Sequence, residues 1–261
     1  MVTAAVVGTG FIGPVHAEAL HRMGVNVRGI LGSSPEKSRE AAQKNGLEIG
    51  YDDYQQILDD PQVDVVHITT PNVFHFDMAK RALLAGKHVV CEKPLVASLA
   101  EADALAAKVE ATGRTLSPVF QYRYGLGSAQ LFALMESGLA GRCYAGTLET
   151  HWDRPASYYE VDWRGTWAGE KGGAILGHAI HIHDLLSAFL GPVCRVHAET
   201  ATRVNEIEVE DCAALARAAL ARFPDEIDAA RGAVFGGSHG GFLGAWLVGS
   251  SRHRDLFRAA V

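Results

Sequence analysis

The chain has 261 residues, 48% of them apolar and 21% charged, with a formal net charge of -6. This length suits one large domain or two ordinary ones, and the composition supports a packed core and argues against global disorder. The negative charge, with no long Lys/Arg run, argues against a polyanion partner, so no nucleic acid is expected.

In chain order, residues 1 to about 120 alternate short apolar runs with amphipathic segments. Ala4–Val7 reads as a buried strand, His16–Met23 as a helix and Val25–Leu31 as a second strand. Ser34 opens a helix with Pro35 at its first position, a favoured start. Tyr54–Leu58 is expected to be a short helix and Val63–Thr69 a strand, followed by a helix over Phe76–Ala85 that Gly86 stops. His88–Cys91 reads as a strand, Ala100–Thr112 as a helix and Thr115–Gln121 as a strand. Repeated β–α units of this length predict an α/β fold with a doubly wound parallel sheet.

The pattern changes after Tyr124. A helix over Ser128–Ser137, a long strand over Gly141–His151 and an aromatic, Gly-rich loop over Trp152–Gly173 are expected. An apolar, His-rich helix over Ala174–Leu190 and a strand over Val193–Thr202 follow, and together these suggest a second, α+β domain. The expected division is a dinucleotide-binding domain over 1–121, a shortened second domain over 122–212 with an open sheet, and an atypical tail over 213–261 that begins Ala/Leu/Arg-rich and helical.

Gly8-Thr9-Gly10-Phe11-Ile12-Gly13 stands between the first strand and the first helix. Glycines there allow a tight turn, backbone approach to a pyrophosphate and close helix–strand packing, while the helix start offers unbonded N–H groups. The second strand ends in Gly32-Ser33-Ser34, with Lys37 following, where an acidic residue commonly receives the adenosine ribose. Two hydroxyls and a cation suit a 2′-phosphate. The cofactor reading is therefore NAD(P), tilted toward NADP, although Ser34 also suits a helix cap and Lys37 a solvated face.

Thr69-Thr70-Pro71-Asn72-Val73-Phe74-His75 and Cys91-Glu92-Lys93-Pro94 each follow a strand, at the sheet edge where such folds bind ligands. A lysine at that edge can donate to a substrate hydroxyl or ketone oxygen. His178, His181 and His183 lie in the apolar helix without a HExxH pattern, so no metal is expected. His183 reads as a core residue. Cys91, Cys143, Cys194 and Cys212 form no CxxC pair, which fits reduced thiols in a cytoplasmic protein. The opening apolar run is too short to span a bilayer and lacks a basic leader, so no membrane partner is expected.

These motifs, with QYRY at 121–124, WRG at 163–165 and KGGAILGHAIHIHD at 171–184, resemble the glucose–fructose oxidoreductase/inositol dehydrogenase/MocA (Gfo/Idh/MocA) family over residues 1 to about 212. The resemblance implies a Rossmann domain followed by an α/β domain. It also implies an oxidoreductase that transfers hydride between a sugar or polyol carbon and a nicotinamide, in a homo-oligomer. By position, Lys93 and His181 match the family's catalytic residues and Asp184 the aspartate of the same helix. Gly8, Gly10, Phe11, Ile12, Gly13, Ser33, Ser34, Lys37, Thr70, Pro71, Asn72, His75, Glu92 and Arg164 fall at cofactor positions. Tyr122, His178, Lys93 and His181 fall at substrate positions. Gly177 replaces a frequent aspartate, four residues before His181.

The stretch 234–261 contains Gly236-Gly237-Ser238-His239-Gly240, a GxSxG pattern, and resembles the nucleophile elbow of acyl-aminoacyl-peptidase-like serine hydrolases. After Ser238 too few residues follow to carry a triad, so Ser238 is expected to be noncatalytic. Three alternatives stand beside the dehydrogenase: a hydrolase using Ser238, dinucleotide binding without turnover, and a redox-assisted glycosidase.

Overall fold

A computed structural model describes residues 2–141, 146, 148–152, 154–193, 196 and 198–211, with the backbone alone at 212–214, 233–234 and 259–260. The chain divides into two compact units, Met1–Val119 with Asp162–Gly172, and Phe120–Val161 with Gly173–Val261.

In the first unit, β1 (Thr3–Val7), α1 (Ile12–Arg22), β2 (Asn26–Leu31), α2 (Pro35–Lys44), β3 (Ile49–Tyr51) and α3 (Tyr54–Asp59) come first. They are followed by β4 (Val65–Ile68), α4 (His75–Leu84), β5 (His88–Cys91), α5 (Leu99–Thr112) and β6 (Leu116–Pro118). All pairings are parallel and the strand order is β3-β2-β1-β4-β5-β6. β1 is central, so its short apolar run is buried on both faces. Ala4 and Val6 pack with Ala17, Leu20, Val27 and Ile30 on the α1 side. Ala5 and Val7 face the opposite way, onto Ile57, Ile68, Ala79, Leu83 and Leu105. The order reverses between β1 and β4, which opens a crevice at their carboxyl ends, the ligand position of doubly wound sheets.

Local chemistry sets the element starts. Ser34 accepts from the Lys37 N–H, Asp53 from Gln56 and Ser98 from Glu101, each capping a helix. β3 lies in a Gly-containing tripeptide that carries little strand signal and was not expected.

In the second unit, α6 (Leu126–Glu136) and α7 (Ile180–Leu190) lie near their expected places. The His-rich helix differs at its start: Ile175–Ala179 forms a π-helical turn before α7 begins. The carboxylate of Glu210 explains that start, because it accepts from Gly173 N–H and Ile175 N–H at 3.1 Å each. The Glu210 carbonyl accepts from Ala174 at 2.9 Å. A Cβ on Gly173 would stand 1.8 Å from that carbonyl oxygen, so glycine at 173 is needed for this approach.

The expected strand over 141–151 is not formed at its described residues, 141, 146 and 148–151. The strand expected over 193–202 shrinks to β7 (Glu199–Ala201), antiparallel to β8 (Cys212–Ala214). Asp211 accounts for the difference by gathering the N–H groups of Arg203, Val204 and Asn205 into a loop. β9 (Ala233–Val234) pairs in parallel with β10 (Ala259–Ala260). The helix expected over 213–223 is not formed at its described residues, 213–214, which belong to β8, and its remaining residues and the GxSxG pattern with Ser238 lie outside the described residues.

Candidate active site

The pyrophosphate loop is built by steric exclusion. Gly8 has φ 118°, and a Cβ there would meet the Thr69 hydroxyl at 2.5 Å and the Thr69 carbonyl oxygen at 2.7 Å. A Cβ on Gly13 would stand 1.9 Å from the Gly8 carbonyl oxygen, so α1 can close onto the loop only with glycine there. Around Gly10 nothing lies within 4 Å, which leaves its backbone open to an incoming group. No side chain caps α1 at Phe11, and its first turn holds no acidic residue. Unbonded N–H groups and the positive end of the helix dipole fit a dinucleotide pyrophosphate.

At the end of β2, Ser34 is occupied as the α2 cap, while the Lys37 ammonium donates to Ser33 Oγ at 3.2 Å. Glu36 joins them. Its own backbone N–H and the Ser34 hydroxyl hold its carboxyl below the usual range. Glu36 is exposed in the first turn of α2 and also accepts from the Arg39 guanidinium at 3.1 Å.

The two following loops are pinned to the sheet and to each other. Thr69 donates through its backbone N–H at 2.8 Å and its hydroxyl at 2.9 Å to the Val7 carbonyl. Glu92 N–H donates to Ile68 O at 2.9 Å. His75 is buried, with Nδ1 2.7 Å from Pro94 O and Nε2 2.8 Å from Thr70 O. Its ring therefore braces both loops from inside and does not face the crevice. Pro71 precedes a 3-10 turn over Asn72–Phe74, and the Lys93–Pro94 peptide is cis.

Asn72 Nδ2 donates to Glu170 O at 2.8 Å, which ties the 162–172 segment to this unit. Within that segment Glu170 is buried and accepts from Gly165 N–H at 2.7 Å, and the Arg164 guanidinium lies over the Trp163 ring at 5.4 Å. Arg164 therefore belongs to the same unit as the glycine loop, although the sequence places it in the second domain.

Beneath Glu92 runs a chain that sequence reasoning missed. His16 Nε2 lies 3.1 Å from Glu92 Oε1, and His16 Nδ1 lies 3.0 Å from His67 Nδ1. Burial works to raise Glu92, but the bond and charge of His16, with the charge and N–H of Lys93, outweigh it and hold the carboxyl below its usual range. Burial, with the charge of His16, pushes His67 down to about 4. His67 interrupts the apolar run Val65–Ile68, and that interruption was the available clue.

In the second unit His181 is buried and stacked on Tyr122, with ring centroids 4.8 Å apart and planes at 27°. Phe120 meets the same imidazole edge-on at 6.3 Å. Tyr122 is held in turn by its neighbour, since Arg123 makes a two-point ion pair with Asp184 at 2.5 Å for each bond. His178 has other partners: its Nε2 is 2.5 Å from Thr150 Oγ1, and the Trp152 ring approaches edge-on at 4.6 Å. Gly177 is buried and its N–H donates to Gly173 O at 2.8 Å. Burial lowers the pKa of half-buried His183.

Among the described residues, no group of three or more His, Cys, Asp or Glu side chains is placed to hold a metal ion. No described helix is long and apolar enough to cross a membrane.

Comparison with known proteins gives the same picture. Residues 2–120 match the model of an oxidoreductase family with an NAD-binding Rossmann fold, and residues 128–229 match the GFO/IDH/MocA C-terminal domain. The stretch 234–261, with its hydrolase-like pattern, lies beyond both matches. Levoglucosan dehydrogenase of Pseudarthrobacter phenanthrenivorans is 30% identical over 78% of this chain and 55% of its own length. The scyllo-inositol 2-dehydrogenase (NAD(+)) of Bacillus subtilis is 30% identical over 73% of this chain and 54% of its own. The chain therefore spans about half the length of the curated relatives it matches. Among solved structures, the WlbA dehydrogenase of Chromobacterium violaceum, in complex with NADH and UDP-GlcNAcA, has a TM-score of 0.75 and 30% identity. That alignment covers 81% of this chain and 62% of the other. A levoglucosan dehydrogenase in complex with NADH and levoglucosan has a TM-score of 0.72 and 27% identity, covering 81% and 62%. With a Rossmann unit carrying an open glycine loop and a second unit carrying the histidine helix, both matched by models of one family, this chain belongs to the GFO/IDH/MocA oxidoreductases.

Proposed function

We propose that the protein is an NAD-dependent dehydrogenase acting on a CH–OH group of a sugar or polyol. The observation that carries this reading is the convergence, at the carboxyl ends of β1, β4 and β5, of the Gly8–Gly13 loop with the Thr69–His75 and Cys91–Pro94 loops. Pyrophosphate binding falls to the N–H groups at Gly10, Phe11, Ile12 and Gly13. Thr70, Pro71, Asn72, Glu92 and Arg164 serve the nicotinamide half. Nicotinamide, when bound, supplies the hydride acceptor. Lys93 donates to the substrate oxygen and polarises it, and His181 takes the hydroxyl proton. Tyr122, stacked on His181, and His178, bonded to Thr150, receive the sugar's remaining hydroxyls and ring face.

On the cofactor's second phosphate the two neighbouring features oppose each other. Ser33 and Lys37 favour NADP, while Glu36 sets a carboxylate against a 2′-phosphate and can accept from a ribose hydroxyl. The NAD-binding family model and the NADH held by similar solved structures favour NAD. A second reading, cofactor binding without turnover, is favoured by Gly177, which offers no side chain one turn before His181.

The test is reduction of NAD, and separately of NADP, across levoglucosan, the inositols and nucleotide-linked sugars. Turnover with at least one sugar or polyol is expected. Lys93→Ala and His181→Asn should each lower kcat by about 10² to 10⁴-fold while the dinucleotide Kd is retained. Dinucleotide binding with no turnover on any of them supports the second reading, and turnover unchanged in both variants contradicts these assignments.

A further inference from the structure

His16 and His67 take no part in the roles assigned above, yet they meet Glu92 inside the first unit. His16 rises from α1, His67 stands on β4 and Glu92 follows β5, so three elements converge on one hydrogen-bonded line. The side chains of His16 and Glu92 are 12% and 14% exposed, so water competes weakly for these bonds. The imidazoles meet edge to face, with centroids 5.2 Å apart and planes at 81°, which points nitrogen at nitrogen and not ring at ring.

The carboxylate fixes the direction at its own end of the chain. An ionised Glu92 only accepts, so the hydrogen between it and His16 sits on His16 Nε2. With hydrogen on Nε2 alone, His16 offers a lone pair at Nδ1 and His67 Nδ1 donates; with both nitrogens protonated, His16 Nδ1 donates and His67 Nδ1 accepts, so in either form one hydrogen lies between the rings. The depressed pKa of His67 agrees with a neutral ring there. The second carboxylate oxygen, Oε2, accepts from Lys93 N–H at 3.2 Å. Both oxygens of Glu92 are thus engaged, one by the chain beneath and one by the backbone of the lysine beside it.

We infer that His16 and His67 are positioning residues: through Glu92 they set the charge and orientation of the Glu92–Lys93 pair, and they tie α1, which starts at the glycine loop, to the lysine. The functional consequence rests on the proposed role of Lys93. The hydrogen-bond chain itself does not. Two rings merely filling space would be replaceable by apolar groups, whereas a donor chain is replaceable only by donors. Gln at 16 can place an amide N–H where Nε2–H stood, and Asn at 67 can do so for Nδ1–H.

The experiment uses the full chain. Reductive methylation with carbon-13 reads the titration of Lys93, assigned by its loss in Lys93→Arg, and kcat, KM and NAD Kd are measured on the same proteins. His16→Leu should shift the Lys93 titration and lower kcat by about tenfold or more, and His16→Gln should recover most of both. His67→Asn should likewise recover what His67→Leu loses. An unmoved Lys93 titration in His16→Leu overturns the inference, as does a glutamine variant that falls as far as leucine. Should the leucine variants fail to fold, nitrogen-15 NMR of the native protein decides. The inference requires hydrogen on His16 Nε2 and one hydrogen shared between the two Nδ1 atoms, and a His16 without hydrogen on Nε2 contradicts it. If no sugar or polyol is turned over, the dehydrogenase reading fails, while the Lys93 titration and the ring tautomers still test the chain.

Discussion

Gly10 and Gly13 sit three residues apart in one loop, and their surroundings assign them opposite duties. Gly13→Ala drives a methyl into the Gly8 carbonyl at 1.9 Å, so it should unfold or strongly destabilise the first unit. Gly10→Ala meets nothing within 4 Å, so its melting temperature should stay near the parent's. Dinucleotide affinity should nonetheless fall about tenfold or more, because the new methyl occupies the approach to the pyrophosphate. Calorimetry beside a dinucleotide titration separates the two effects. A cooler melt for Gly10→Ala with intact binding would contradict the division.

His67 gives the second residue-scale prediction. Its folded pKa is lowered from 6.5 to about 4, so below pH 6.5 the unfolded chain takes up a proton that the folded chain refuses. Stability is then complete above pH 6.5 and is lost as pH falls toward 4, by about 3 kcal/mol over that interval. Glu92, with its carboxyl held low, adds a loss in the same direction at still lower pH. Urea unfolding at a series of pH values should show this slope, and His67→Asn should flatten its upper part. Residue identities in the loops could be read because each motif is local in sequence. The His16–His67–Glu92 chain could not, because its members are brought together from three strand–helix units.

At the scale of elements, caps and apolar runs made the first unit legible. Ser34, with Pro35 behind it, and the four-residue strand His88–Cys91 fall where local chemistry alone puts them. The second unit was less legible because long-range acceptors decide its backbone. Glu210 reaches 35 residues back to Ile175 and converts the expected plain helix start into a π turn. Asp211 folds three N–H groups into a loop where alternation suggested strand. Glu210→Ala leaves the Gly173 and Ile175 N–H groups without that acceptor and should cost about 1–3 kcal/mol. Hydrogen exchange should localise the loss to the start of the His-rich helix, and protection lost elsewhere but kept at Ile175 would refute the assignment.

For the molecule as a whole, the surprise is where the segment 162–172 belongs. It follows much of the second unit in sequence but packs with the first through Asn72 and Glu170. Sequence order suggested a simple split near residue 121, since nothing local announces a return crossing. The crossing brings Trp163, Trp167 and Arg164 onto the unit that holds the glycine loop, and so supplies that unit with its own optical probe. Binding of a nicotinamide dinucleotide by this unit is checked by titrating NADH and NADPH while following energy transfer from tryptophan to the reduced nicotinamide. Saturable transfer with NADH, a weaker response to NADPH, and a marked weakening of both in Gly10→Ala are expected. No transfer with either dinucleotide in the folded parent protein would contradict that binding.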